Sequence, residues 1–189
     1  MTPAARVCER LDLQGASLSI RLYYEIAMNK SDVIRPESAA QQLAGFIAKF
    51  DPEVAKLIRS ARVALRKRLP TAYELVYDNY NFLAIGFSST ERTSDCIVSL
   101  ASYAKGVSLF FYYGAKLADP HKLLQGGGKQ VRFIRLESAA TLAKPEVEAL
   151  LRAATAQGKT ALSRTGSGRG RLLVKSISAR QRPRRTGSK

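Results

Sequence analysis

The residue run that looks most suited to binding chemistry is Gly126-Gly127-Gly128-Lys129. A phosphate-binding loop needs its glycines to lead into a helix, because the N–H groups at the helix start contact the anion. Here a strand pattern follows the glycines, and Gln130 stands where Ser or Thr would hold magnesium. The pattern therefore favours a tight corner with left-handed residues. A looser anion-binding nest built on Lys129 and Arg132 is the alternative.

Metal and thiol chemistry have weaker support. His121 is the only histidine, and no spacing marks further ligands to accompany it. The two cysteines, Cys8 and Cys96, have neither metal-site nor disulfide spacing, which is typical of a reducing cytoplasm. Cys96 falls in a strand pattern with no histidine placed to activate it. We predict no metal site and no cofactor.

Three carboxylates, Glu74, Asp78 and Asp95, lie near predicted strand ends. Two that converge could serve acid–base catalysis, but the sequence does not show convergence, and solvated edge residues are the default interpretation. Since no nucleophile–base pattern accompanies them, we predict no catalytic residue and a protein that is not an enzyme.

Aromatic residues crowd the region from position 73 to 113. In the run 110–113 both faces of a strand would be aromatic, so one face should cover the core and the other could line a groove. We predict a ligand groove formed by Tyr77, Tyr80 and Tyr112 with Glu74 beside them. The alternative is that helices cover both faces, or that the partner in a homodimer covers one.

The net charge of +16 is concentrated near the C-terminus, because residues 155–189 hold ten basic side chains and no acidic one. Such a run associates with polyanions without reading sequence. We predict either a plain solvated tail or weak, non-specific nucleic-acid contact, which would involve Arg180, Arg182, Arg184 and Arg185. No sequence-specific nucleic-acid-binding motif accompanies them.

The elements that must position these residues follow from hydrophobic spacing. Helix patterns occupy 37–50, 51–69 and 144–156; strand patterns occupy 74–78, 82–87, 95–103, 107–113 and 130–136; a helical turn occupies 119–124. Hairpin-connected strands flanked by helices predict an α+β two-layer sandwich, with helices packed on one face of an antiparallel sheet of about five strands.

Residues 1–27 are predicted to be a disordered arm, or an over-extended start upstream of Met28. Residues 28–157 form the predicted domain, and 158–189 a disordered basic tail with one exception, a short strand at 172–174. No signal peptide and no membrane span are expected, and the predicted location is cytoplasmic.

Several segments of the chain resemble the YdhG-like domain family: ELVYD at 74–78, AKGVSLFFYYGAKLADPHKLLQGGGKQVRFIRL at 104–136 and PEVEALLRAA at 145–154. The resemblance covers about residues 50–155. It implies a compact α/β sandwich and no established catalytic residues. A bacterial member proposed as a frataxin-like iron chaperone implies iron handling, but that role calls for an acidic ridge, and residues 37–154 are net positive.

The leading hypothesis is a non-enzymatic module that binds a small molecule or a protein partner. Metal handling of the iron-chaperone type and nucleic-acid association driven by the tail are the alternatives.

Overall fold

A computed structural model describes residues 37–158, 162 and 170–186. The predicted N-terminal arm, Met28 and Cys8 lie outside these residues. The described elements, in chain order, are α1 (Ala39–Ala48), α2 (Pro52–Arg68), β1 (Tyr73–Asp78), β2 (Leu83–Ser88), β3 (Cys96–Tyr103), β4 (Gly106–Phe111), β5 (Arg132–Leu136), α3 (Pro145–Ala156) and β6 (Leu172–Ile177), with short 3-10 segments at Thr93–Asp95, Gly114–Lys116 and Ala139–Ala143.

The sheet has the order β5-β4-β3-β2-β1-β6. Strands β1 to β5 pair antiparallel with their neighbours, whereas β6 pairs parallel to β1. The predicted α+β class is confirmed, but the sheet is mixed and has six strands instead of about five antiparallel ones. The sixth strand extends the short strand expected at 172–174. Within residues 170–186, β6 pairs with β1, and the residues after β6 donate backbone hydrogen bonds to Asp78 and Tyr80.

One face of the sheet forms the core. A single row across the five antiparallel strands contains Val76, Ile85, Leu100, Leu109 and Ile134, each opposite the next. All five are buried in the same hydrophobic cluster as the inward residues of the three helices. The helices therefore cover this face, as the two-layer prediction requires.

The helix boundaries have local causes. Ser38 caps α1 through a reciprocal capping box with Gln41. The helix α2 begins with Pro52 at its first position and the acid Glu53 in its first turn, and its last turn is basic. No helix in the described part of the chain is long and apolar enough to span a bilayer.

Strand β1 places two carboxylates on the core face. Side chains alternate along a strand, so Glu74 and Asp78 lie on the same side as Val76. Glu74 is 1% exposed and Asp78 is 0% exposed. Buried carboxylates require cationic partners. These come from α2 for Glu74, and from the C-cap residue of α1 and the C-terminal segment for Asp78.

Candidate functional site

A cleft of about 430 Å³ opens between the first turns of α2, the β3–β4 hairpin turn and the end of β5. Its volume lies within the range of small-molecule sites, roughly 300–1,000 Å³. Val54 and Leu57 on α2 and Leu136 on β5 supply an apolar floor, and Leu136 is buried beneath the cleft. The cleft therefore combines concave shape with an apolar base.

Charged side chains of both signs surround this floor. The cations are Lys56, Lys105 and Arg135, and the acids are Glu53 and Glu137. All five are exposed. No ion pair within the described residues involves any of them. Their charges are therefore available to a ligand, with a net excess of one positive charge.

The hairpin turn brings two of the cations to the cleft. Gly106 has φ +145°, a conformation that L side chains rarely adopt, and it allows a connection of only two residues between β3 and β4. The Arg135 side chain lies along Gly106, and its Nη2 donates to the Lys105 carbonyl oxygen at 3.1 Å. Arg135 alternates with Leu136 and so begins on the other face of the sheet, and this hydrogen bond holds its guanidinium beside the hairpin turn at the rim of the cleft.

A second cleft, about 470 Å³, runs along the outer edge of β6 beside Ala39 and Gln42. Among the described residues that line it, Lys175 alone is charged. The first cleft has the better combination of convergent charges and a buried apolar base, and we take it as the candidate site.

The predicted aromatic groove is not assembled as one surface. Glu74 lies on the core face, where Arg62 Nε contacts it at 2.5 Å and Arg66 Nη1 at 2.9 Å. Tyr77 lies on the opposite face, and its hydroxyl is 2.5 Å from Thr93 Oγ1. Glu74 and Tyr77 therefore cannot line the same groove.

The other two tyrosines of that prediction lie elsewhere. Tyr80 follows β1, is 47% exposed and has the Arg182 guanidinium 5.5 Å from its ring centre. Tyr112 follows β4 and packs edge-on against Tyr113 at 5.2 Å. Phe110 and Phe133 do form an aromatic pair on the second sheet face, stacked at 5.1 Å across β4 and β5.

The glycine corner is a turn, as predicted. Gly126 has φ +104°, and the segment leads into β5. Arg132 Nη1 donates to the carbonyl oxygens of Gly128 and Val131, so this guanidinium closes the turn, while Lys129 is exposed. Upstream, Asp119 accepts from the Leu123 and Leu124 N–H groups, which makes 119–124 a capped turn without helix.

The four C-terminal arginines have different environments. Arg184 is 4% exposed and pairs with Asp78, whereas Arg180, Arg182 and Arg185 are exposed. They are therefore not four equivalent charges on a free tail.

Cys96 is buried, and burial raises the pKa of its thiol to about 12. A neutral buried thiol is a poor nucleophile and a poor metal ligand. His121 is exposed on the 119–124 turn. Within the described residues no three His, Cys, Asp or Glu side chains form a group that could hold a metal ion.

The cleft residues were not expected from the sequence. Two local signals could have indicated part of it. Lys105 lies in the two-residue turn between β3 and β4, and Arg135 lies near the end of β5, which pairs with β4. The contribution of α2 depends on how the helix packs on the sheet, which no local pattern reveals.

No protein-family model matches the chain, and neither the curated proteins nor the solved structures contain a match. The resemblance to the YdhG-like family therefore stays a prediction.

Proposed function

We propose that the protein is a binding module whose ligand is a small organic anion with an apolar body. The observation that supports this proposal is the cleft with an apolar floor and unpaired charges. An apolar ligand body would cover Leu57 and Val54 and displace water from them. Its carboxylate, phosphate or sulfonate would lie among Lys56, Lys105 and Arg135.

The charge arrangement favours an anion over a cation. The cations outnumber the acids, and Arg135 is held beside the hairpin turn by its hydrogen bond to Lys105. A preorganised guanidinium forms strong, paired hydrogen bonds with planar or tetrahedral oxyanions. Glu53 and Glu137 at the rim would disfavour ligands with several negative charges, and they leave room for a ligand that also carries an ammonium group.

The proposal can be tested with 8-anilinonaphthalene-1-sulfonate, a fluorescent anion with an apolar body. We expect saturable binding to the full chain with one dominant site. Arg135→Ala should weaken binding about tenfold or more, since a charged hydrogen bond typically contributes roughly 1.5–3 kcal/mol. Ser60→Trp should block the cleft from the exposed side of α2 without disturbing the core.

Arg152→Ala is the matched control, because Arg152 is an exposed arginine on α3 that does not line the cleft. It should leave the affinity within twofold of the unmodified chain. Equal weakening by Arg135→Ala and Arg152→Ala would show that the probe responds to net charge alone and would contradict the proposal. Binding that survives Ser60→Trp unchanged would place the probe elsewhere.

A further inference from the structure

The basic segment at residues 178–186, named here the C-terminal strap, is docked on the folded domain. Its backbone donates from Ser178 N to the Asp78 carbonyl oxygen and from Arg182 N to the Tyr80 carbonyl oxygen, both at 2.9 Å. At its end, Thr186 donates through N and Oγ1 to one oxygen of Asp51 at 3.1 and 2.8 Å. These two hydrogen bonds lower the pKa of the Asp51 carboxyl.

Arg184 anchors the strap. Its side chain is 2% exposed, and Nη2 lies 3.0 Å from Asp78 Oδ1 and also donates to the Asn79 carbonyl oxygen. The guanidinium carbon is 5.7 Å from the centre of the Phe50 ring. Lys49 Nζ contacts the second Asp78 oxygen at 2.7 Å. Within the described residues, Arg184 and Lys49 therefore share the Asp78 carboxylate, one on each oxygen.

The remaining arginines of the strap lie at the surface of the domain, where Arg185 Nη2 donates to the Ala48 carbonyl oxygen at 3.2 Å. Arg180, Arg182 and Arg185 are exposed, and none of them forms an ion pair within the described residues. Tyr80 is 47% exposed beside Arg182. The docked strap thus presents three exposed cations, and Arg182 among them lies beside an accessible aromatic ring.

We propose that the strap surface is a binding site for single-stranded nucleic acid. Arginines neutralise phosphates and release condensed counterions, and an exposed aromatic ring in a basic surface stacks on an unpaired base whatever its identity. The phosphates contact Arg180, Arg182 and Arg185, and one base stacks on the open face of Tyr80. Arg184 is a positioning residue that does not touch the nucleic acid. This site lies apart from the cleft and does not depend on its ligand.

Fluorescence anisotropy of the full chain with labelled oligothymidylate of fifteen nucleotides, measured from 50 to 200 mM salt, tests the proposal. Removing Arg180, Arg182 and Arg185 together should weaken binding more than tenfold and reduce the salt slope by about two, since each phosphate contact on a single strand contributes roughly 0.7. The charge-matched control replaces Arg59, Lys67 and Arg152, which are exposed elsewhere, and should weaken binding less than threefold.

Two further variants separate a docked surface from a charged tail. Tyr80→Ala should weaken oligothymidylate binding about fivefold or more. Heparin is a polyanion without bases, so the affinity for heparin should change less than twofold. Arg184→Ala should weaken oligothymidylate binding more than Arg59→Ala does, although both remove one charge. Equal effects of the two triple variants, or absence of binding at 50 mM salt with 100 μM protein, would overturn the proposal.

Discussion

Replacing Arg184 with alanine removes the guanidinium that joins the C-terminal strap to β1. Both members of this ion pair are shielded from water, since the side chains of Arg184 and Asp78 are 2% and 1% exposed. Removing one partner of a buried pair typically costs about 3–5 kcal/mol, because the other charge stays buried without compensation.

Two features of the structure reduce the expected cost. Lys49 still neutralises Asp78 after the substitution, because its Nζ lies 2.7 Å from the second carboxylate oxygen. Within the described residues Nε and Nη1 of Arg184 are buried without a hydrogen-bond partner, and alanine removes that desolvation penalty. We therefore expect Arg184→Ala to lower the free energy of unfolding by about 2–3 kcal/mol. For a chain of this length, that change lowers Tm by roughly 4–12 °C.

Urea unfolding followed by circular dichroism measures this loss, and amide hydrogen exchange at residues 170–186 locates it. Asp78→Asn should undock the same strap, so the double variant should be little less stable than either single variant. Arg180→Ala, an exposed neighbour, is the control and should change stability by less than about 0.5 kcal/mol. A loss below about 0.5 kcal/mol for Arg184→Ala, or strictly additive effects of the two substitutions, would refute the reasoning.

Two other predictions concern the core. Glu74→Gln should lower the free energy of unfolding by about 3 kcal/mol, because Arg62 and Arg66 would lose the carboxylate that both contact. An unchanged midpoint of urea unfolding would show that these ion pairs do not stabilise the fold. In a Cys8→Ser background, Cys96 should resist thiol reagents from pH 7 to 9, since burial raises its pKa to about 12. Its labelling should follow unfolding in urea, and rapid labelling of the native chain would contradict the burial.

Local patterns were sufficient to predict most of the elements. The apolar spacing of 144–156 corresponds to α3, which begins at Pro145, and the alternation of 95–103 corresponds to β3. These elements carry their own signals of period, proline position and turn residues. The boundaries therefore needed little information from distant parts of the chain.

The sixth strand and the strap were harder to predict, because their conformation depends on partners that are far away in the sequence. Residues 170–186 have the composition of a disordered tail, with six basic residues and no acidic one. Pairing with β1 and burial of Arg184 against Asp78 supply the missing interactions. Composition alone carries no information about either partner.

The same reason explains the error at β1. Glu74 and Asp78 looked like solvated ends of a strand, yet alternation places them with Val76 on the core face. The cations that neutralise them lie 8 to 106 positions away along the chain. The cleft was missed likewise, because Lys105 and Arg135 meet only when β4 and β5 pair.

Chemical-shift mapping tests the proposed ligand site most directly. The ¹⁵N-labelled full chain is titrated with 8-anilinonaphthalene-1-sulfonate, and the backbone amide shifts are followed to saturation. We predict that the largest shifts occur at Leu57, Gly106 and Ser138, which line the cleft. Shifts concentrated at Phe110 and Phe133 on the opposite sheet face, or spread evenly over the surface, would contradict the assignment of the cleft as the binding site.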